Sequence, residues 1–157
     1  MTESGAVNTR VEKTTAQDNE KVSLGCRQTS NQMSEPSPII TLTTDFGIRD
    51  TYVGIMKGVI LGINPNVQVV DLTHAVPPQD IYETAFSIYA AHNYFPKGTI
   101  HVIVVDPGVG SDRRAIACQT DNASFVCPDN GVLSYLLQST EDEEAQSINA
   151  VEIQNKA

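Results

Sequence analysis

Apolar and polar positions along the chain separate a polar opening from a series of short β-branched runs alternating with helix-period segments. Ile39–Thr43 (IITLT), Val67–Asp71 (VQVVD) and the run from Ile100 through Val105 have the length and composition of strands. Between them, Val53, Met56, Val59, Ile60 and Ile63 recur at helical spacing within Thr51–Ile63. The same period in Gln79–Tyr94 picks out Ile81, Ala85, Ile88, Tyr89 and His92. Gly54, Gly58 and Gly62 lie close to one stripe of the first helix, a spacing that suits close helix–sheet packing. Asp50 or Thr51 can cap that helix, and Asp80 is an early acidic residue favoured by the dipole of the second. Asn64-Pro65-Asn66, Pro77-Pro78 and Phe95–Thr99 supply the breaks. Strands alternating with helices predict an α/β fold with a mostly parallel sheet and helices on both faces. The run ending at Val105 is apolar on both faces, as expected of a central strand covered from two sides.

Further along, Ala115–Gln119 and Ser124–Cys127 read as a hairpin turning at Thr120-Asp121-Asn122. Val132–Gln138 begins a short helix, and Ala150–Ile153 is one more strand, after which the chain stops. An end so close behind a strand suggests a fragment of a longer protein. Residues 1–37 are polar and aperiodic, with Pro36 just before their end and Pro38 just after it. Too little apolar surface is available there to offset chain entropy, so a disordered leader is expected, followed by one domain over 38–157. The acidic run Glu141–Glu144 reads as a solvated loop.

A length of 157 residues favours a single domain, and a net charge of −9 argues against nucleic-acid binding through a basic face. Cys26, Cys118 and Cys127 form no metal-ligand spacing. Cys118 and Cys127 lie in apolar segments as core thiols, with a close pair across two strands the alternative. There is no signal-peptide pattern and no apolar stretch long enough to span a bilayer, so a soluble cytoplasmic protein is the expectation.

Candidate chemistry gathers where strands stop. Asp45, Asp71 and Asp106 each follow or close a strand, and Asp129 and Asn130 occupy a fourth polar turn. The carboxyl ends of parallel strands share one sheet edge, where α/β proteins bind ligands. Convergent carboxylates without His or Cys suit a hard metal, ribose hydroxyls or a cationic ligand equally. Gly108 and Gly110 permit close backbone approach after Asp106, and Arg113 and Arg114 follow within reach. The plainer alternative there is a turn with a solvated arginine pair. His74 is either a ligand contact or a loop histidine bonding its neighbours, and the second is favoured because a lone histidine carries little information. No phosphate-cradling glycine motif and no GxSxG elbow occur.

Eight motifs follow one another in order: TTDFG (Thr43–Gly47), YVGIMKG (Tyr52–Gly58), INPN (Ile63–Asn66), VVDLTH (Val69–His74), FPKGT (Phe95–Thr99), VVDPGVG (Val104–Gly110), Arg113-Arg114 and PDNG (Pro128–Gly131). Together they resemble the N-terminal domain of the S-adenosylmethionine hydroxide adenosyltransferases, a family that also contains a fluorinase and a chlorinase. The resemblance runs from Pro38 to Ile153. It implies a three-layer α/β sandwich, with the family's C-terminal β-barrel missing from this chain. It also implies S-adenosylmethionine as substrate, adenosine and methionine as products, no metal or other cofactor, and a homotrimer when full-length. By resemblance Asp106 and Arg113 are catalytic, placing and polarising the attacking water. Asp45, Phe46, Asp71, Gly108, Asp129 and Asn130 are substrate-binding, with Asp45 on the ribose hydroxyls. A carboxylate at Asp106 suits water and repels halide, and halogenating members carry an uncharged residue there, so hydrolysis is favoured. The family's third catalytic residue, a histidine in a Phe-His-Gly-Arg-Asp motif, has no counterpart, and neither His74 nor His101 matches it. A non-catalytic nucleoside-binding or assembly module is the reading from outside the enzyme class.

Overall fold

The computed structural model describes residues 36–139 and 148–154. The leader as far as residue 35 and the acidic run Glu141–Glu144 lie outside the described residues. Six strands form one sheet: β1 (Ile39–Thr44), β2 (Gln68–Thr73), β3 (Thr99–Val104), β4 (Ala115–Gln119), β5 (Ala123–Pro128) and β6 (Asn149–Glu152). Their spatial order is β2-β1-β3-β5-β4-β6. The pairs β1–β2, β1–β3 and β3–β5 are parallel, while β4 pairs antiparallel with β5 and with β6. The helices are α1 (Tyr52–Ile63), α2 (Ile81–Ala91) and α3 (Ser134–Ser139), and a 3-10 turn over His92–Tyr94 extends α2.

Register assigns the faces. Thr41 pairs with His101 and His101 with Phe125, so these side chains share one face with Ile103 and Cys127. Ile88 of α2 and Leu136 of α3 pack there, in a core that includes Cys118, Val132 and Leu133. Leu42, Asp71 and Val102 lie on the other face. Lys57 of α1 reaches Asp71 there, and Leu42 beneath is fully buried. Helices therefore flank the sheet on both sides. Beyond α1 the covering thins: Ile100, Val102 and Val104 of β3 are only half-buried, whereas Thr99, His101 and Ile103 are buried.

Several local expectations change. β2 does not stop at Asp71 but continues to Thr73, because pairing with β1 resumes after an irregularity between Leu42 and Thr43. α2 begins at Ile81, and Asp80 is its N-cap, accepting the Glu83 N–H at 2.9 Å. Ahead of α1, the Asp50 carboxylate accepts the Tyr52 N–H at 3.0 Å. The glycine stripe of α1 does not pack on the sheet: a Cβ on Gly54, Gly58 or Gly62 would meet nothing within 4 Å. The sheet-facing residues are Val53, Met56, Lys57 and Ile60, and helical geometry turns the glycines away from them. Val59 and Ile63 are exposed with the glycines. Cys118 and Cys127 are buried free thiols on neighbouring strands, and burial raises both, Cys127 to about 12.

Candidate active site

Three adjacent parallel strands, β1, β3 and β5, deliver Asp45, Asp106 and Asp129 to one edge of the sheet. Thr44 pairs with Val104, so Asp45 leaves β1 beside the point where Asp106 leaves β3. β1 and β3 are β-branched runs, and each of the three strands ends within two residues of an aspartate able to turn the chain and carry charge.

The Asp45 loop is tied down from several directions. The Gln79 backbone N–H donates to Asp45 Oδ2 at 2.8 Å. Gln79 holds φ at +64°, and among the described residues it is the one non-glycine in the left-handed region. The preceding Pro77-Pro78 gives no hint of this in the sequence. Phe46 N–H donates to Thr44 Oγ1 at 3.2 Å, and Gly47 N–H donates to the His74 carbonyl at 2.8 Å. The Phe46 ring lies 5.7 Å from that of Tyr52, centroid to centroid.

Asp106 heads a tight loop in which its Oδ1 accepts the Gly108 N–H at 2.9 Å. A Cβ on Gly108 would come within 2.8 Å of Arg113 Nη2, so glycine is what lets the guanidinium lie over the loop. Arg113 Nη1 donates to the Asp129 carbonyl at 3.1 Å, and Arg114 forms an ion pair with the Asp129 carboxylate. Asp106, Arg113 and Arg114 border a cleft of about 250 Å³ floored by Val102, Val104 and Val126. Asn130 spends both ends of its amide on the fold, Nδ2 donating to the Val105 carbonyl at 2.9 Å and Oδ1 accepting the Val132 N–H at 3.1 Å. It also borders a larger cleft of about 470 Å³ between α2 and α3, with Ile81, Tyr82 and Tyr135.

Of the residues singled out in the sequence, Asp106, Gly108, Arg113 and Asp129 come together, and Asp45 adjoins them through the strand register. Asp71 stands apart. It lies inside β2 opposite Leu42, three positions before Asp45 on the neighbouring strand. Its Oδ2 accepts from Lys57 Nζ at 2.6 Å, and its Oδ1 lies 3.0 Å from His74 Nε2. Burial raises the Asp71 carboxyl, but Lys57, through its hydrogen bond and charge, with His74 close by, outweighs this and holds the group below its ordinary value. His74 is buried and bonds Thr44 Oγ1 through Nδ1 at 2.8 Å, which is the structural role favoured for it. Thr44, Lys57 and Gln79 carried no chemical signal in the sequence. Among the described residues, no three His, Cys, Asp or Glu side chains converge as a metal site would require, and no helix is long and apolar enough to cross a membrane.

Residues 40–157 match the family model described as the SAM hydroxide adenosyltransferase N-terminal domain. The chain is 44% identical over 105 residues to the (R)-S-adenosyl-L-methionine hydrolase of Methanocaldococcus jannaschii, covering 64% of this chain and 40% of that one. It is 27% identical over 139 residues to a fluorinase of Nocardia brasiliensis, covering 74% and 46% of the two chains. An uncharacterised conserved protein from Thermotoga maritima, known from its crystal structure, superposes with a TM-score of 0.67 at 38% identity, covering 74% and 44%. The chain thus spans about two fifths of the length of the curated hydrolase it matches.

Proposed function

This chain belongs to the SAM hydroxide adenosyltransferase family, in its N-terminal domain, and on that premise we propose that it supplies the ribose- and water-holding half of an S-adenosylmethionine hydrolase. The observation that carries this reading is the delivery of Asp45 and Asp106 by adjacent parallel strands, with Arg113 laid across the Asp106 loop. Asp45 takes the two ribose hydroxyls, a task suited to a two-oxygen acceptor already oriented by the Gln79 N–H. Phe46, Gly108, Asp129 and Asn130 shape the surrounding wall, the last two by holding Arg113, Arg114 and the Val105 carbonyl in place.

In the reaction, a water oxygen attacks the ribose C5′ and the C5′–S bond breaks. The bonding pair passes to the sulfonium sulfur, releasing neutral methionine, and the water's surplus proton goes to Asp106 and then to solvent. A sulfonium needs no acid to leave, so the protein's contribution is alignment of the water behind C5′ and exclusion of competitors. Asp106 and Arg113 do this by fixing the water from two sides. A carboxylate at Asp106 favours water over halide, which places hydrolysis ahead of the halogenation named in the fluorinase relatives. We assign adenine and methionine contacts to the portion of the relatives that this chain does not span. The complete site is then that of a cytoplasmic homotrimer, with 38–157 as the folded domain and 1–37 as a polar leader.

Calorimetric titration of S-adenosylmethionine and adenosine into this chain, with product analysis of the same mixtures, tests the reading. Weak binding of both, with adenosine and methionine formed slowly or not at all, is expected of a half-site. Absence of binding to either ligand overturns it and favours a non-catalytic assembly module.

A further inference from the structure

Resting on the reading of Asp45 as the ribose-holding carboxylate, we infer that Asp71 and His74 are positioning residues that aim the Asp45 loop through the Thr44 hydroxyl, rather than contacts of the substrate. The groups form one continuous chain from α1 to the loop: Lys57 Nζ to Asp71 Oδ2 at 2.6 Å, Asp71 Oδ1 to His74 Nε2 at 3.0 Å, His74 Nδ1 to Thr44 Oγ1 at 2.8 Å, and Thr44 Oγ1 to Phe46 N at 3.2 Å. Both Thr44 and the His74 side chain are buried, so neither is placed to meet a ligand directly.

The proton positions follow from the ends of the chain. Lys57 has only donors, so the Asp71 carboxylate faces it as an acceptor. A bare lone pair on His74 Nε2 would be repelled by Asp71 Oδ1, so Nε2 carries the ring proton. The approach is outside the angular range of a regular hydrogen bond, so the contact is electrostatic, with Asp71 Oδ1 3.0 Å from the buried Nε2. Nδ1 is then an acceptor, and the Thr44 hydroxyl donates a hydrogen bond to it. That leaves a Thr44 lone pair for the Phe46 N–H. The His74 carbonyl meanwhile receives the Gly47 N–H at 2.8 Å. Thr44, Phe46 and Gly47 are thereby all tied to His74, and Asp45 sits in their midst with its side chain free to point outward to the Gln79 N–H.

Reversing one proton reverses the rest. With the proton on Nδ1, the ring would press a donor on Thr44 and leave the buried hydroxyl proton without its acceptor, a costly arrangement in a low-dielectric interior. The charge on Asp71 thus selects the tautomer of His74, and the tautomer selects the loop. A mere space-filling His–Thr pair would affect stability alone and would be indifferent to these choices.

The test uses the full chain, with adenosine and 2′,3′-dideoxyadenosine as probes that differ only in the ribose hydroxyls, together with ring 15N spectra of His74. Wild type is expected to prefer adenosine and to show the Nε2–H tautomer. In Asp71→Asn, Lys57 claims the amide oxygen and the amide NH2 turns toward Nε2, so His74 should move to the Nδ1–H tautomer. That variant and Thr44→Val should each lose about tenfold of the preference for adenosine, and Thr44→Ser, which restores the hydroxyl, should recover it. Variants that melt earlier yet keep the full preference, or an unchanged tautomer in Asp71→Asn, would overturn the relay while leaving the ribose reading intact. No preference in wild type would overturn the ribose reading itself, and the relay with it.

Discussion

At the scale of single residues, the fold keeps His101 neutral in its interior and Gln79 in a backbone conformation it would otherwise avoid. His101 is fully buried in β3, stacked on Phe125 at 5.1 Å with its Nδ1 2.7 Å from Thr41 Oγ1. Burial, with a smaller contribution from the charge of His92, lowers it from 6.5 to about 4. The unfolded chain therefore takes up this proton first. Its contribution to stability is complete above about pH 6.5 and is lost as pH falls toward 4, up to about 3 kcal/mol in all. Urea unfolding at stepped pH should show that slope, and His101→Gln should flatten it. Gln79 carries left-handed strain of about 1 kcal/mol in order to aim its N–H at Asp45. Gln79→Gly should unfold at equal or higher urea, whereas Gln79→Val, β-branched at positive φ, should lose more than about 1 kcal/mol.

At the scale of elements, α1 departs furthest from what its pattern promised. It contains no fully buried residue, and its glycines look away from the sheet. Gly58→Ala should consequently raise stability by about 0.5–1 kcal/mol through helix propensity alone, measurable as a shift in the denaturation midpoint. A loss of stability would mean that the glycines pack closely after all. The strands were legible for a physical reason: β-branched residues bounded by turn formers have few other places to go, and β1, β3, β4 and β5 fall within a residue or two of expectation. β2 runs past Asp71 because Leu72 and Thr73 are good strand residues and Asp71 has a lysine to face, so a carboxylate at that point does not end the strand. The meeting of Asp45, Asp106 and Asp129 at one edge was legible because parallel topology puts strand ends together, while Asp71, expected with them, lies back inside β2. The link from Lys57 through Asp71 and His74 to Thr44 was not legible. It depends on the register between β1 and β2 and on the direction of one lysine, neither of which periodicity encodes. The φ of Gln79 was equally silent, since the residue type argues against it.

For the molecule as a whole, the strand order β2-β1-β3-β5-β4-β6 sets a timetable. β1 is first along the sheet's chain path, yet one of its two neighbours is β3, and the bond from Thr41 to His101 spans 60 positions. Closing so long a loop costs entropy before any pairing is gained, whereas the β4–β5 hairpin turns through three residues, Thr120 to Asn122. During synthesis, β2 can pair with one edge of β1, but the other edge must wait unpaired until β3 has been made, a period in which it is open to mispairing with other chains. Pulse-labelled hydrogen exchange during refolding should find the amides of β4 and β5 protected early and those that join β1 to β3 last. Protection of β1 ahead of the hairpin would contradict this order. The carboxylate at the end of β1, the proposed ribose acceptor, would then be among the last features to take shape as the protein is born.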